Sequence, residues 1–319
     1  MKTLATETNI SAGPQTVSTP PKQIRMRKQK VVDYTWGYLM VAPTIIGLII
    51  LNVWPLIQTV YLSFCKLSGF GQAQFAGLSN YIKLFQDSDV MHATVNTLVY
   101  TVISAPLGIF LSLIVAVLLN AKIGGRGIYR TIYFLPVVST PAAVAMVWKW
   151  LLNYDYGFVN TILRNIGLPA PNWISDSRYV MATIIIVGIW SGLGYNMVIL
   201  LSGLQEIPAT FYEAAEIDGA NSVRKFFSIT IPLVSPTLFF VVITTMIGSL
   251  QVFDLIFMMI GTSNPALPNV ESLVLLFYKY SFQIYNKGYG SAIAVVLFVL
   301  IMIFTAIQLI FQKKWVHYD

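Results

Sequence analysis

The sequence has few of the residues on which soluble enzymes and metal sites depend. Charged residues make up only 10% of its 319 residues, and it contains one cysteine and two histidines. The single cysteine, Cys65, excludes an internal disulfide. His92 and His317 lie far apart and belong to no Cys/His spacing typical of a metal site. We therefore expect neither a metal nor a cofactor.

Apolar residues are abundant instead. They make up 56% of the chain, and its mean hydropathy is +0.70. Apolar runs near twenty residues long predict membrane-spanning helices, which satisfy their own backbone polar groups in lipid. The predicted fold class is all-α, a polytopic membrane protein with about six transmembrane helices. The predicted spans are 37–63, 94–120, 129–151, 179–203, 232–260 and 289–312.

The net charge of +7 indicates membrane topology rather than nucleic-acid binding. The bases lie in an N-terminal segment and in loops that flank apolar runs, where the positive-inside rule explains them. Residues 1–35 are polar and then basic, and we predict a disordered cytoplasmic tail there. Residues 36–319 form the predicted transmembrane domain, with both termini cytoplasmic.

Two loops on the predicted outer side have amphipathic, helix-like patterns. They are FAGLSNYIKLFQDSD, with a cap expected at Ser79 or Asn80, and YGFVNTILRNIGLPAPNWISD, ended by Gly167 and Pro169. Both patterns suit helices that lie along a membrane surface. They either anchor the chain at the interface or dock an external partner.

The most charged stretch is YEAAEIDGANSVRKFF, within a predicted cytoplasmic loop at about 204–231. Pro208 suits the first turn of a short helix, and Gly219 suits its left-handed end. Asn221 or Ser222 can cap a second helix.

The charges in this loop are poorly placed for an isolated pair of helices. Glu213 and Glu216 repel each other at a spacing of three and lie in the second half of the first helix. Arg224 and Lys225 lie at the start of the second helix, where the helix dipole disfavours cations. Either these acids and bases pair across Gly219, or the surface is shaped for another protein.

A small set of polar residues lies among the apolar spans and is a candidate solute pathway. Asp254 is the one acid predicted well inside an apolar span, with Gln251 nearby, and intramembrane charge is costly. Tyr195 and Asn196 in the fourth span offer polar groups at a similar depth. Asp254 could instead bond a neighbouring helix or Lys149, or lie at the water-filled mouth of the pathway.

Several motifs resemble one family. EAAEIDGA followed by FFSITIPLVSPT resembles the EAA loop of permease subunits of binding-protein-dependent ABC importers. The residues that match the motif are Glu213, Ala214, Ala215 and Gly219, and Asp218 and Ala220 match the DGA of its sugar-transporting branch. RTIYFLPVVSTPAAVAMVWKWLLNYDYGFVN, GYNMVILLSGLQEIPATFYEAA, FAGLSNYIKLF and QVFDLIFMM are also similar to this branch. The resemblance covers about residues 36–312.

The resemblance implies a MetI-like permease fold in a bacterial or archaeal cell (inner) membrane. It also implies carbohydrate import as one of two similar permease subunits, with two cytoplasmic ABC ATPases and an extracellular or periplasmic solute-binding protein. Glu213 would contact the ATPase, Ala214 and Ala215 would allow close approach, and Gly219 would give the bend. The residues predicted to couple to the ATPase are Glu213, Ala214, Ala215, Asp218, Gly219 and Arg224.

Within the family, the chain is more similar to the short permeases for multiple sugars, raffinose-type oligosaccharides or glycerol 3-phosphate than to the maltose type, whose large external insertion it lacks. Because the sequence has no GxxxxGK[ST] phosphate-binding loop, we expect no enzymatic activity of its own. An ion-coupled secondary transporter is the alternative, although it needs several buried ionisable residues. A membrane enzyme would need clustered acids, His or Ser.

Overall fold

The computed structural model describes residues 22–67, 71–121 and 124–316. The chain divides by its internal contacts into two units, Met1–Ile57 and Gln58–Asp319, each considered by itself. Residues 1–21 of the predicted disordered tail lie outside the described residues. Residues 22–35, predicted to be disordered, instead belong to a helix. Its first residues are mainly Lys, Arg, Met and Gln, which are good helix formers, and within this helix no glycine occurs before Gly37.

The first unit is helical through its described part. Helix α1 covers Lys22–Leu48 and continues through Pro43. A π-helical turn, Ile49–Val53, follows, and helix α2, Trp54–Ser63, begins at the end of this unit.

The second unit contains two short strands and most of the helices. The antiparallel strands are β1 (Cys65–Lys66) and β2 (Gln74–Phe75), with Cys65 opposite Phe75. The helices from α3 to α8 are Ser79–Gln86, Ser88–Asn120, Arg126–Val138, Pro141–Leu151, Phe158–Asn165 and Val180–Glu206. Those from α9 to α14 are Ala209–Ile217, Ser222–Lys225, Ile231–Leu250, Asp254–Met259, Leu273–Tyr278 and Lys287–Trp315. Shorter helical turns are Phe226–Thr230, Leu267–Asn269 and Lys279–Gln283.

The described residues contain five stretches long and apolar enough to cross a membrane, together with one bent helix pair. The five are Val32–Ser63, Ser88–Asn120, Val180–Glu206, Ser222–Leu250 and Lys287–Trp315. They confirm the all-α class, with six spans if the bent pair counts as one.

Two predicted spans are broken in the structure. The span predicted at 129–151 consists of two helices, α5 and α6, with a bend of 102° between them. The bend falls at Thr140, whose side chain caps α6 ahead of Pro141. The span predicted at 232–260 is too long, since α11 ends at Leu250.

Helix α8 packs against α4, α5 and α11. Its middle and last turns share a buried cluster with α4 and α11, to which Leu113, Met197, Leu200 and Val241 belong. Close packing against α5 requires a glycine, because a Cβ at Gly194 would overlap the backbone of Tyr133. Candidate functional residues lie along α8 and at both of its ends.

Candidate functional site

The charged loop, residues 207–225, begins where α8 ends. Helix α9 begins after Pro208, and Gly219 has a φ of +72°, a left-handed conformation that ends a helix at little cost for glycine. The Asn221 side chain accepts a hydrogen bond from the Arg224 amide and caps α10. These features confirm the predicted two-helix geometry.

One acid and one base of the charged loop pair across the glycine turn. Lys225 Nζ lies 2.8 Å from Glu216 Oε1, and this hydrogen bond lowers the pKa of the Glu216 carboxyl. No ion pair is recorded within the described residues for Glu213, Asp218 or Arg224, all of which are exposed. Pairing across the turn therefore accounts for two of the charges and leaves the others available to solvent or a partner.

The charged loop also exposes apolar side chains. Ile217 at its tip is 88% exposed, and Val223 and Phe227 are exposed as well. Phe226 packs against the α4–α8–α11 cluster, so the apolar side chains of this segment are divided between the core and the surface. Sequence reasoning missed Ile217, although an isoleucine between Glu216 and Asp218 in so polar a stretch is a visible signal.

A cavity of about 630 Å³ lies beside this loop. Its wall includes Glu213, Glu216 and Tyr212 from α9, and Asn120 from the end of α4. Ala214 is exposed and Ala215 is half-buried. The surface of α9 thus combines acids with small side chains, which allow another helix or backbone to approach closely.

A second cavity, of about 260 Å³, lies between α4, α8 and α11. Its lining residues are Tyr100, Gly188, Gly192, Tyr195, Asn196, Thr244, Thr245, Gly248, Ser249 and Val252. Asn196 is 5% exposed, and its Oδ1 accepts a hydrogen bond of 3.2 Å from Thr245 Oγ1. Two of the predicted pathway residues, Tyr195 and Asn196, therefore meet in one cavity. Tyr100 and the α11 hydroxyls were missed, because isolated Thr, Ser and Tyr in apolar helices carry no distinct signal.

Asp254 and Gln251 are not among the residues that line this cavity. Asp254 is exposed and begins the short helix α12, so its predicted position inside an apolar span is wrong. The break follows Gln251, which is exposed and ends α11. No ion pair with Lys149 is recorded among the described residues. A carboxylate in the first turn of a helix is favourably placed with respect to the helix dipole.

The one buried acid among the described residues is Glu271, which sequence reasoning missed. It is 7% exposed, and burial raises the pKa of its carboxyl, although Lys279 Nζ lies 3.6 Å away and opposes that shift. Its backbone carbonyl accepts a hydrogen bond from Asn96 of α4. Glu271 thus lies in the junction between α4 and the segment before α13.

The loop before α8, residues 152–179, is held by buried polar contacts. Asn160 on α7 is fully buried, and its amide nitrogen donates to the carbonyls of Tyr154 and Pro171 at 3.2 and 3.1 Å. Its Oδ1 accepts from Trp173 Nε1 at 2.8 Å. Trp173 and Tyr179 in turn line a groove of about 650 Å³ that also contains Asp176 and Arg178.

The sequence and fold were compared with known proteins. Residues 93–317 match the family described as "binding-protein-dependent transport system inner membrane component". The chain is 34% identical to the sulfoquinovosyl glycerol transport system permease protein SmoG of Agrobacterium fabrum, over 87% of this chain and 90% of that protein. It is 32% identical to the trehalose/maltose transport system permease protein MalF of Thermococcus litoralis, over 88% and 95%.

The fold is similar to a chain from the crystal structure of a bacterial alginate ABC transporter in complex with an alginate pentasaccharide-bound periplasmic protein. The TM-score is 0.80 at 22% identity, covering 89% of this chain and 96% of that chain. A multi-helical membrane fold with a two-helix EAA-type loop after α8 defines a permease subunit of an ABC importer. This chain belongs to the family of binding-protein-dependent transport system inner membrane components.

Proposed function

We propose that this permease imports a carbohydrate or a closely related polyol, and that the cavity between α4, α8 and α11 is its part of the translocation pathway. The observation that carries the proposal is the chemistry of the cavity wall. Its lining residues are neutral and offer an amide at Asn196, hydroxyls at Thr244, Thr245 and Ser249, and the ring of Tyr195. Such groups hydrogen-bond sugar hydroxyls, and aromatic rings pack against the apolar faces of sugars.

The named transport activities of the relatives support the same solute class. One relative is named for sulfoquinovosyl glycerol transport and another for trehalose/maltose transport. The cavity of about 260 Å³ is small for a disaccharide, which suits half of a pathway completed by a second, similar permease subunit. We propose that the two permeases form a heterodimer.

In this proposal the energy comes from ATP hydrolysis by a pair of cytoplasmic ATPases that bind the charged loop. Glu213, Asp218 and Arg224 would pair with charges on the ATPase, while Ala214 and Ala215 would allow a close approach. The bend at Gly219 would present α9, including the exposed Ile217. This arrangement requires the charged loop and both chain termini to be cytoplasmic.

We propose that the solute-binding protein docks on the opposite side, at the loop before α8. The buried Asn160 and Trp173 contacts give this loop a fixed shape, and its groove combines aromatic and charged side chains. Rigid, partly aromatic surfaces are typical of protein–protein contact sites. Asp254 is exposed at the start of α12, three residues after Gln251. It would lie at the pathway mouth and contact solute only there.

The alternative, ion-coupled transport, finds less support in the positions of the ionisable groups. Asp254 is exposed, and the residues lining the cavity carry no charge. A cation-coupled site normally includes buried carboxylates close to the solute.

The test is uptake by the complete transporter, reconstituted in liposomes with ATP inside and the binding protein outside. Asn196→Ala removes the cavity amide, and we expect at least a tenfold loss of sugar uptake, because about 1.4 kcal/mol of lost transition-state stabilisation corresponds to tenfold. Thr131→Val is the control, since Thr131 bonds only its own helix at Gly127. Normal uptake by Asn196→Ala, or uptake that follows an ion gradient without ATP, would contradict the proposal.

A further inference from the structure

Helix α9 is fastened at two points to the helical stretch that leads into α11. Tyr212 Oη lies 3.0 Å from Thr230 Oγ1, and Lys225 Nζ lies 2.8 Å from Glu216 Oε1. Thr230 directly precedes α11, and the stretch Ser222–Leu250 is continuously helical. These two contacts, here called the brace, therefore bind α9 to the start of α11.

Helix α9 is joined to α8 by a short extended segment of backbone. The two helices are joined through Ile207 and Pro208, whose backbone is extended, with ψ of 118° and 135°. Extended residues interrupt the helical hydrogen bonds, and proline has no N–H to restore them. A displacement of α9 is therefore transmitted to α11 more directly than to α8.

Helices α8 and α11 approach each other closely at Gly203. A Cβ added to Gly203 would overlap the side chain of Thr237. Pro236, next to Thr237, deprives the Pro232 carbonyl of its helical donor, and Ser235 Oγ replaces that donor at 2.6 Å. The helix thus remains continuous at the contact point.

The cavity hydrogen bond lies on the other side of this contact. Thr245 on α11 donates to Asn196 on α8 at 3.2 Å. At 1.5 Å per residue, Thr230 lies about 10 Å before Thr237 along the helix, and Thr245 lies about 12 Å after it. The contact at Gly203 therefore lies about midway along the helical stretch between Thr230 and Thr245.

We infer that α11 is a lever that pivots at Gly203 and Thr237, is moved through the brace, and opens the Asn196–Thr245 contact in the cavity. A rotation about the pivot moves Thr245 about as far as Thr230 and in the opposite direction. A shift of about 1 Å is enough to break a hydrogen bond of this length. The inference rests on the proposed function, in which ATPase motion displaces α9.

The first test separates ATP hydrolysis from transport in the complete reconstituted transporter. Tyr212→Phe/Lys225→Met removes both brace contacts, and we expect sugar uptake to fall at least fivefold while ATP hydrolysis stays within twofold of wild type. Tyr38→Phe/Lys313→Met is the matched control, because both side chains are exposed and far from the brace in sequence. A wild-type ratio of uptake to ATP hydrolysis in the brace variant would overturn the lever.

The second test follows the cavity contact directly. In a Cys65→Ser background, Asn196→Cys/Thr245→Cys forms a disulfide when the two positions are close. We expect ATP with vanadate to change the crosslink yield at least threefold, and this response to disappear when the brace is removed. The lever would be overturned if the crosslink yield does not change with ATP and vanadate, or if it still changes when the brace is removed. Lys225→Arg keeps the ion pair and should keep the response.

Failure of the lever is distinguishable from failure of the proposed function. Crosslinking from Ile217→Cys reports whether α9 touches an ATPase at all. If it gives no ATPase crosslink, the proposed coupling is wrong. If Ile217→Cys crosslinks to the ATPase while the brace variant keeps the wild-type ratio of uptake to ATP hydrolysis, only the lever is wrong.

Discussion

Helix α8 connects two loops that are held in place by different forces. The loop before it, residues 152–179, is organised around the fully buried Asn160, which makes three hydrogen bonds to other parts of the same loop. The charged loop after it, residues 207–225, is held by one ion pair, by the Tyr212–Thr230 contact and by a glycine turn. The loop before α8 is fixed by buried hydrogen bonds, whereas the charged loop is held by contacts close to solvent.

This difference indicates different mechanical roles. Breaking a buried hydrogen-bond network leaves polar groups unsatisfied, so the loop before α8 resists deformation. The charged loop is joined to α8 through the extended residues Ile207 and Pro208, so it can move together with the start of α11 when a partner displaces it. A rigid loop at one end of α8, the proposed docking surface, and a movable loop at the other, the proposed ATPase contact, suit a transporter driven from one side.

The largest effect is expected in the loop before α8. Asn160→Ala leaves the Pro171 carbonyl and the Trp173 indole N–H without these partners, which costs about 1–3 kcal/mol for each group left buried. The Tyr154 carbonyl still accepts a hydrogen bond from Arg164. We expect the loop before α8 to become accessible to protease at least tenfold faster in the membrane-embedded protein. Asn165→Ala is the control, because Asn165 is exposed on the same helix. Equal cleavage rates for the two variants would remove the contrast between the loops.

The geometry of the charged loop could be predicted from the sequence because its determinants are local. Pro208, Gly219 and Asn221 act on their immediate neighbours, through the backbone and a cap three residues away. The same holds for the helical segment at Phe158–Asn165. Where contacts are close in sequence, the residue types alone determine the structure.

The cavity and the helix breaks depend on contacts that are distant in sequence. Asn196 and Thr245 are 49 residues apart, and Tyr100 joins the same wall from α4. The 102° bend at Thr140 and the end of α11 before Asp254 both lie within stretches that are apolar on average. Pattern reasoning therefore missed the sharp bend in one span, extended the span at 232–260 too far and placed Asp254 inside it. Neither Asn160 nor Glu271 is distinguishable from a surface residue until the fold buries it.

A second, intermediate effect concerns the turn in the charged loop. Gly219→Ala places a Cβ at a φ of +72°, where nothing lies within 4 Å, so the cost is backbone strain alone, about 1 kcal/mol. We expect the ATPase to dissociate about fivefold more readily, because α9 and α10 no longer keep their angle, while the helical content stays unchanged. The measurement is ATPase retention during purification of the complex at increasing salt.

The control for this turn is Gly127→Ala, which also has open space around it but lies in helix α5 with an ordinary backbone conformation. It should leave ATPase retention unchanged. Equal losses from both variants would mean that the left-handed turn is not what holds the coupling surface together.

The smallest effect is expected at the ion pair, and it depends on pH. The hydrogen bond from Lys225 lowers the pKa of Glu216 below its ordinary value of 4.5. The pair is therefore complete above pH 4.5 and is lost as the pH falls through the lowered pKa. Spin labels at the exposed Ile217 and Val223 should give a narrow distance distribution at pH 7 that broadens below pH 4.5. Glu213, Asp218 and Arg224 lie on the same loop, so Glu216→Gln is the necessary control. This variant should give the broad distance distribution at every pH. A pH transition that persists in Glu216→Gln would assign the response to another acid. The charged loop would then be held mainly by Tyr212 and Gly219.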